Sequence, residues 1–281
     1  MYIGSDFPYS HDFFTLSHAS TAFISWHCHD EFELIIIKNG TLKLNMNLQK
    51  VVLEKDDICF INSNTLHSME LEQEEICDFY QISFHPSLIY GDKLSSIYLK
   101  YIKSFIEQEQ LPGLLFSENI CWQKEVKTLI LKCFSCYEKK ESGYEFLIRN
   151  YLSSIFYEFV KYGFYSDNKK DDSWNKDIFR VKQMMKFMEQ QYKKQLTINE
   201  IAAHGKIHRR ECFRAFQRVL GISPIQYLLQ YRLEMAAHLL RATDFPISKI
   251  SQEVGIQSPS YFTKMFKEKM LRTPYQYRHK K

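Results

Sequence analysis

Two groups of residues in this 281-residue chain could do chemistry, and they lie in opposite halves. In the C-terminal half, placing Cys212 and Phe216 inward on a helical pattern turns His208, Arg209, Arg210, Phe213, Arg214 and Gln217 outward. Further on, Phe262 and Phe266 take the inward positions and leave Gln257, Ser260, Tyr261, Thr263, Lys264 and Lys267 exposed. Arginine matches the paired acceptors of guanine, and a phenyl ring packs on a thymine methyl. Lysine and hydroxyl side chains reach phosphates. That chemistry is the reading of double-stranded DNA. In the N-terminal half, His27-x-His29-x3-Glu33 and a later His67 supply imidazoles and a carboxylate. Histidine-rich strand ends bind small polar ligands or satisfy one another. The sequence offers no nucleophile–base constellation, phosphate loop or paired-acid site, so no catalytic residue is assigned.

The elements that must position the first group come from an internal repeat. Phe216 to Tyr227 matches Phe266 to Tyr277 at an offset of 50 residues, pairing Phe with Phe, Ser with Thr, and Pro-x-Gln-Tyr with Pro-x-Gln-Tyr. Each copy follows a short helix, a tight turn and a longer helix. In the first, Thr197-x-x-Glu200 is a capping box opening a helix over Ile198–His204. Gly205 ends it and is expected to supply the positive-φ position, and a second helix runs from about Arg209 to Val219. In the second copy Ile247–Val254 is the first helix and Gly255 the turn; Ser258 and Pro259 act as N-cap and N1 of a helix over Ser260–Lys269. Helix, glycine turn, helix is the pattern whose second helix enters the major groove. Upstream, Ile178, Val181, Met185, Met188 and Tyr192 form an apolar stripe read as core.

Charge divides the same way. From Trp174 to Lys281 there are 21 Lys/Arg against 8 Asp/Glu, or +13, while residues 1–173 carry 16 against 25, or −9. Only the C-terminal half is therefore suited to a polyanion. The polar run Ser166–Ser173 reads as a linker, giving domains over 1–165 and 176–281 with 166–175 between them. Up to about Phe84 the period is two. Strands are expected at Phe32–Ile37, Leu42–Met46, Val51–Leu53, Ile58–Ile61, Ser68–Leu71 and Phe79–Phe84, with Asn39-Gly40 as a hairpin turn between the first two. Many short antiparallel strands suggest a small barrel. Leu94 to Phe164 reads as helical, with pauses at Leu111–Gly113 and near Gly143; these aromatic helices either cover the barrel or pair with a second subunit. Seven scattered cysteines suit buried thiols in a reducing compartment, and Cys133-x-x-Cys136 lies in a helix-like run with no second pair nearby. No leader segment and no membrane-length apolar run is read, so a soluble, cytoplasmic, nucleoid-associated protein with no membrane partner is expected.

The segment Leu196–Arg278 resembles the DNA-binding domain of AraC/XylS transcription regulators over its whole length. The matching stretches include Ile201-Ala202, Cys212-x-Arg214-x-Phe216, Gly221–Pro224, Tyr231–Ala236, Val254-Gly255, Ser260–Phe262, Phe266-Lys267 and Thr273–Arg278. Departures fall at cap and turn positions: His208 for an N-cap Ser, Lys206 and Leu271 for glycines, Ile256 for Phe. The resemblance implies seven helices, with Gln226–Arg241 joining the two units and packing through Ile225, Leu228, Leu229, Ala236, Leu239 and Leu240. It also implies that Arg210, Phe213 and Arg214, and Ser260, Thr263 and Lys264, point deepest into the groove. His27, His29, Glu33, Gly40, Asp57 and His67 resemble the two cupin motifs, whose matching residues hold a divalent ion in metal cupins. A small effector is favoured here, with neither metal nor cofactor expected; metal binding and a structural role stand as alternatives. The expected fold is α+β and multidomain: a cupin-like β-barrel with helices, then an all-α double helix-turn-helix domain. The expected function is effector-controlled, sequence-specific transcription regulation, as a homodimer through the N-terminal half, with RNA polymerase as partner if it activates. A metal-dependent cupin enzyme fused to a DNA-binding domain, and a regulator whose barrel only dimerises, are the competing readings.

Overall fold

A strand buried at six successive positions must be covered on both faces, and Phe32 to Ile37 are all buried. The computed structural model describes residues 7–18, 23–72, 76–108, 111–117, 119–163 and 172–279. They form two compact units, Met1–Leu16 with His27–Lys170 and Ser17–Trp26 with Asp171–Lys281.

The strands are β1 (Tyr9–Ser17), β2 (Phe23–His27), β3 (Phe32–Asn39), β4 (Leu42–Met46), β5 (Gln49–Leu53), β6 (Ile58–Ile61), β7 (His67–Leu71), β8 (Ile76–Phe84) and β9 (Gly113–Phe116). They make two sheets, ordered β1-β8-β3-β6-β9 and β2-β7-β4-β5. The pair is the expected cupin-like barrel. Helices α1 (Ser87–Tyr90), α2 (Lys103–Glu107, entered through a π-helical stretch Tyr98–Ile102), α3 (Cys121–Lys139) and α4 (Tyr144–Lys161) follow. Phe32, Leu34 and Ile36 of β3 share one core with Val126 and Ile130 of α3 and Phe156 and Phe159 of α4. The long helices therefore cover one sheet, the first of the two roles open to them. Alternation along the strand then turns Glu33, Ile35 and Ile37 to the opposite face, towards the second sheet.

Three expectations need correction. Asn39-Gly40 is not a hairpin turn: β3 is paired on both sides, with β6 and β8, so the chain crosses there to the other sheet. The tight hairpin is β4–β5, closed by Asn47-Leu48 with Asn47 at φ 49°. Residues 113–116, expected within a helical region, form β9 because they extend the sheet beside β6, with Gly113 opposite Ile61. A Cβ at Gly113 would lie 2.4 Å from the Phe60 carbonyl oxygen, so only glycine admits that approach. Strands β1 and β2 add to the six expected from the sequence; neither has a clean apolar alternation, and every residue of β2 is only half-buried.

The C-terminal unit has seven helices, as the resemblance implied: α5 (Asp172–Gln191), α6 (Ile198–His204), α7 (Arg209–Leu220), α8 (Pro224–Ala242), α9 (Ile247–Glu253), α10 (Pro259–Met270) and α11 (Pro274–Arg278). Helix α5 begins inside the segment read as linker, and residues 166–171 of that segment lie outside the described residues. In the α5 stripe Ile178, Val181, Met185 and Met188 are buried, joined by Met184. On α8, Leu228, Ala236 and Leu240 are buried as expected. Ile225 is instead 46% exposed, because Tyr227, two positions on, takes the inward place beside Leu228. The Thr197 capping box forms, with Glu200 N–H donating to Oγ1 and Thr197 N–H donating to the Glu200 carboxylate. Thr197→Ala is expected to cost about 1 kcal/mol, read as a lower urea midpoint with an unchanged slope.

Candidate functional site

The two helix-turn-helix units are built by the same backbone bonds. Ile207 N–H donates to Ala202 O at 3.1 Å, and Ile256 N–H donates to Ser251 O at 2.9 Å. These bonds align Lys206 with Gly255 and Gly205 with Val254, one residue out of step with the repeat that follows. Lys206 takes φ 53° and Gly255 takes φ 79°, whereas Gly205 is right-handed at φ −81°. The positive-φ position of the first turn is thus Lys206, not Gly205. Gly205 is small for another reason: a Cβ there would lie 2.9 Å from the Met184 sulfur. Gln257 is the extra residue of the second turn and restores the offset before the N-caps His208 and Ser258. Ser258 Oγ accepts from Tyr261 N–H, while His208 makes no side-chain cap bond. The repeated Ser/Thr-Pro-x-Gln segments prove to be capping boxes, Ser223 with Gln226 opening α8 and Thr273 with Gln276 opening α11.

On α7, Cys212, Ala215 and Phe216 are buried, and His208, Arg209, Arg210, Arg214 and Gln217 are exposed, with Phe213 half-buried. On α10, Phe262 and Phe266 are buried, Ser260, Tyr261, Lys264 and Lys267 are exposed with Gln257 just before them, and Thr263 is half-buried. All twelve side chains therefore reach the surface of their own unit. Gln217 is partly occupied, donating to Gly221 O at 3.1 Å, and Arg214 lies 3.8 Å from Glu211. Other cations are held inside the domain. Arg218 pairs with Asp177 at 2.7 Å and also with Glu211, whose carboxyl its hydrogen bond holds below the usual range. Arg232 donates to the carbonyls of Tyr192 and Lys194, and Arg278 to that of Phe245. Arg241 stacks over the Tyr277 ring at 4.8 Å. Arg209 and Arg210 have no such partner among the described residues. Sequence periodicity cannot tell these two kinds of arginine apart, since both lie on polar faces.

In the N-terminal unit His27 ends β2, His29 follows it, Glu33 lies on the inner face of β3, and His67 opens β7. Their ligand atoms all fall within 4.8 Å of one another. Glu33 and His67 are buried and the other two half-buried. His29 Nε2 is 3.0 Å from Glu33 Oε1, and His67 Nε2 is 3.1 Å from Glu33 Oε2. Gln81 Nε2 and Ser83 Oγ, which carry no motif in the sequence, both donate to Glu33 Oε1. They are on β8 and face Glu33 only through strand pairing, which puts Ser83 opposite it. His67 Nδ1 lies 2.9 Å from Thr65 O, an acceptor only, so that nitrogen carries a proton and donates it to the carbonyl, while Nε2 faces Glu33. Burial works against charge on Glu33, but the flanking imidazoles outweigh it and hold the carboxyl well below its usual range. Burial likewise lowers the His29 pKa, and the Glu33 and Glu31 carboxylates more than reverse that. Three thiols are set for inertness by burial, which pushes Cys59 up to about 12 and Cys212 up to about 11. Cys133 is buried in α3 and shifted the same way.

A barrel with a polar cluster between its sheets, in one chain with two helix-turn-helix units, defines a DNA-binding regulator with a separate sensing domain. The model of the AraC-like ligand binding domain matches residues 10–156, and that of a helix-turn-helix domain matches residues 192–280. An uncharacterized HTH-type transcriptional regulator of Bacillus subtilis, YdeC, is 28% identical over 94% of this chain and 89% of its own length. The lactose operon transcription activator of Staphylococcus xylosus is 30% identical over 56% of this chain and 54% of its own. A structure of ToxT from Vibrio cholerae with a bound unsaturated fatty acid shares the fold at a TM-score of 0.51 and 15% identity, covering 96% of this chain and 94% of that one. The chain belongs to the AraC family of transcription regulators, with an N-terminal ligand-binding domain and a C-terminal helix-turn-helix domain. No helix among the described residues is long and apolar enough to cross a membrane.

Proposed function

We propose that the twelve outward side chains of α7 and α10, with their preceding turns, are two independent reading heads on an asymmetric DNA site. The observation that carries this is that one scaffold, with corresponding Ile N–H bonds closing both turns, presents unlike chemistry: Arg209, Arg210, Phe213 and Arg214 on one helix, Ser260, Tyr261, Thr263 and Lys264 on the other. Residues 1–165 act as the effector domain and 176–281 as the DNA-binding domain. The effector contacts the barrel at His27, His29, Glu33 and His67; ToxT, on the same fold, holds a bound small molecule. The chain works as a homodimer through its N-terminal half, which the outward side chains Phe146 and Tyr157 of α4 support, being 75% and 64% exposed. It is a cytoplasmic, nucleoid-associated protein and not an enzyme, in line with its regulator relatives. It activates transcription through RNA polymerase, as the name of the lactose operon relative suggests.

Adjacent major-groove segments lie about 10 base pairs apart, which sets the spacing of the two base clusters. Arg210→Ala is expected to cost about 1–3 kcal/mol and to relax base preference in one cluster only, and Thr263→Ala to relax the other. Selection of bound sequences from a random pool by each variant checks this. If both relax the same positions, or neither relaxes any, the two heads are not independent.

A further inference from the structure

Residues 1–173 contain 16 Lys/Arg, and a single one of them is an arginine, Arg149 on α4. That stretch also holds 25 Asp/Glu, yet the exposed Arg149 guanidinium makes no ion pair or side-chain hydrogen bond among the described residues. Glu145 stands four positions before it, where opposite charges on a helix ordinarily meet, and the two do not pair. Both instead line a cavity of about 310 Å³. Its other walls are mostly apolar: Phe7 and Pro8 just before β1, Leu88 of α1 and Phe146 of α4. Gly91, which ends α1 at φ 69°, leaves one side bare, and a Cβ there would lie 4.0 Å from Arg149 Nη2. The walls are fixed before any ligand arrives. His85 N–H donates to Pro8 O at 3.0 Å, tying the start of β1 to the entry of α1. Ser87 Oγ is 2.7 Å from His85 Nδ1, and Phe7 packs edge-on to Tyr144 with ring centroids 6.0 Å apart.

We propose that this cavity is a second ligand site, outside the barrel, for a free α-amino acid with an apolar or aromatic side chain. The carboxylate takes the planar fork of Arg149, which fits it in two parallel hydrogen bonds. The ammonium takes Glu145, and the side chain lies against Phe7, Leu88 and Phe146. Opposite charges one helical turn apart, both facing the cavity, match a ligand that carries both charges on adjacent atoms. Net charge argues the same way: residues 1–173 carry −9, which repels a simple anion and leaves a zwitterion unopposed. Size agrees too. Ligand cavities run from about 300 Å³ upward, so this one suits a single residue-sized molecule. The site shares no residue with the cluster of His27, His29, Glu33 and His67, and it goes beyond the reading of that cluster as the effector site.

The test titrates the full chain with L-phenylalanine and L-leucine, followed by saturation-transfer NMR. Saturable binding of at least one of them is expected. Two partial mimics, 3-phenylpropionate without the ammonium and phenethylamine without the carboxylate, should each bind about 10-fold more weakly than phenylalanine. Arg149→Met should weaken binding on the order of 10–100-fold, Glu145→Gln about 10-fold, and Arg149→Lys by less than Arg149→Met, since it keeps the charge and loses the fork. Arg149 is exposed and Glu145 half-buried, so the variants test the ligand and not the core. His27→Ala should leave amino-acid binding unchanged. No saturable binding of either amino acid, or binding that survives Arg149→Met, overturns the site. Loss on His27→Ala with none on Arg149→Met places the ligand in the barrel instead. Phenylpropionate binding as tightly as phenylalanine overturns the zwitterion. None of these outcomes bears on DNA binding, so the regulatory reading stands or falls separately.

Discussion

Replacing Gly255 by alanine is expected to destabilise the DNA-binding domain by about 3 kcal/mol, a drop of about 10–20 °C in its melting temperature. Two terms add. At φ 79° a β-carbon costs about 1–2 kcal/mol. The added atom would also lie 2.6 Å from Tyr192 O and 2.8 Å from Lys193 O, which are backbone atoms and cannot turn aside. Forced overpacking of this kind costs about 1–3 kcal/mol. The same carbonyl of Tyr192 accepts from Arg232 of α8, and Gln195 donates to Gly255 O, so a shift at this point disturbs α5, α8 and the second helix-turn-helix together. Gly221→Ala is the control. Gly221 has φ 71° but nothing within 4 Å of a β-carbon, so only the conformational term of about 1–2 kcal/mol applies. Equal losses at the two positions in calorimetry would show that the close approach to the end of α5 contributes nothing.

The fragment from Asp172 onward is expected to fold alone and to lose about 10³-fold in DNA affinity between 50 and 200 mM salt. Released counterions set the slope: about six phosphate contacts give that loss over this range. The chain's excess positive charge, +13 over Trp174–Lys281, lies in this segment. Starting at Asp172 retains Asp177, which pairs with Arg218 of α7. Lys267→Ala, if Lys267 meets a phosphate, should flatten the slope by about one unit without altering base preference. A helical fragment whose DNA binding ignores salt would contradict the assignment of this surface.

Much of the DNA-binding half is legible in the sequence, because its signals are local. A capping box, an N-terminal proline and an apolar stripe at helical spacing act within one or two turns of chain, and the repeat supplies most of them twice. Gly205 misleads because glycine is a poor marker of positive φ on its own. Backbone bonding decides that position, and it puts Lys206 there; what makes Gly205 glycine is a methionine sulfur on another helix. The capping roles of Ser223 and Thr273 are equally local, and they explain why the repeat keeps Ser or Thr three residues before Gln.

The sequence by itself determined helices α5, α6, α7, α9 and α10, the outward faces of α7 and α10, and the four polar residues of the barrel, since helical period, caps and residue type need no distant partner; the full count of seven helices came from the family resemblance. Only the tertiary structure decided what depends on neighbours far along the chain. Gly113–Phe116 is a strand because β6 offers a free edge, and Asn39-Gly40 crosses between sheets because both edges of β3 are occupied. Arg218, Arg232 and Arg278 are structural because carboxylates and carbonyls from other parts of the domain reach them. Glu33 meets Gln81 and Ser83 through pairing across about 50 residues of chain, and meets His67 only because a second sheet lies over the first. Strand register and sheet packing are long-range, so no window of sequence contains them.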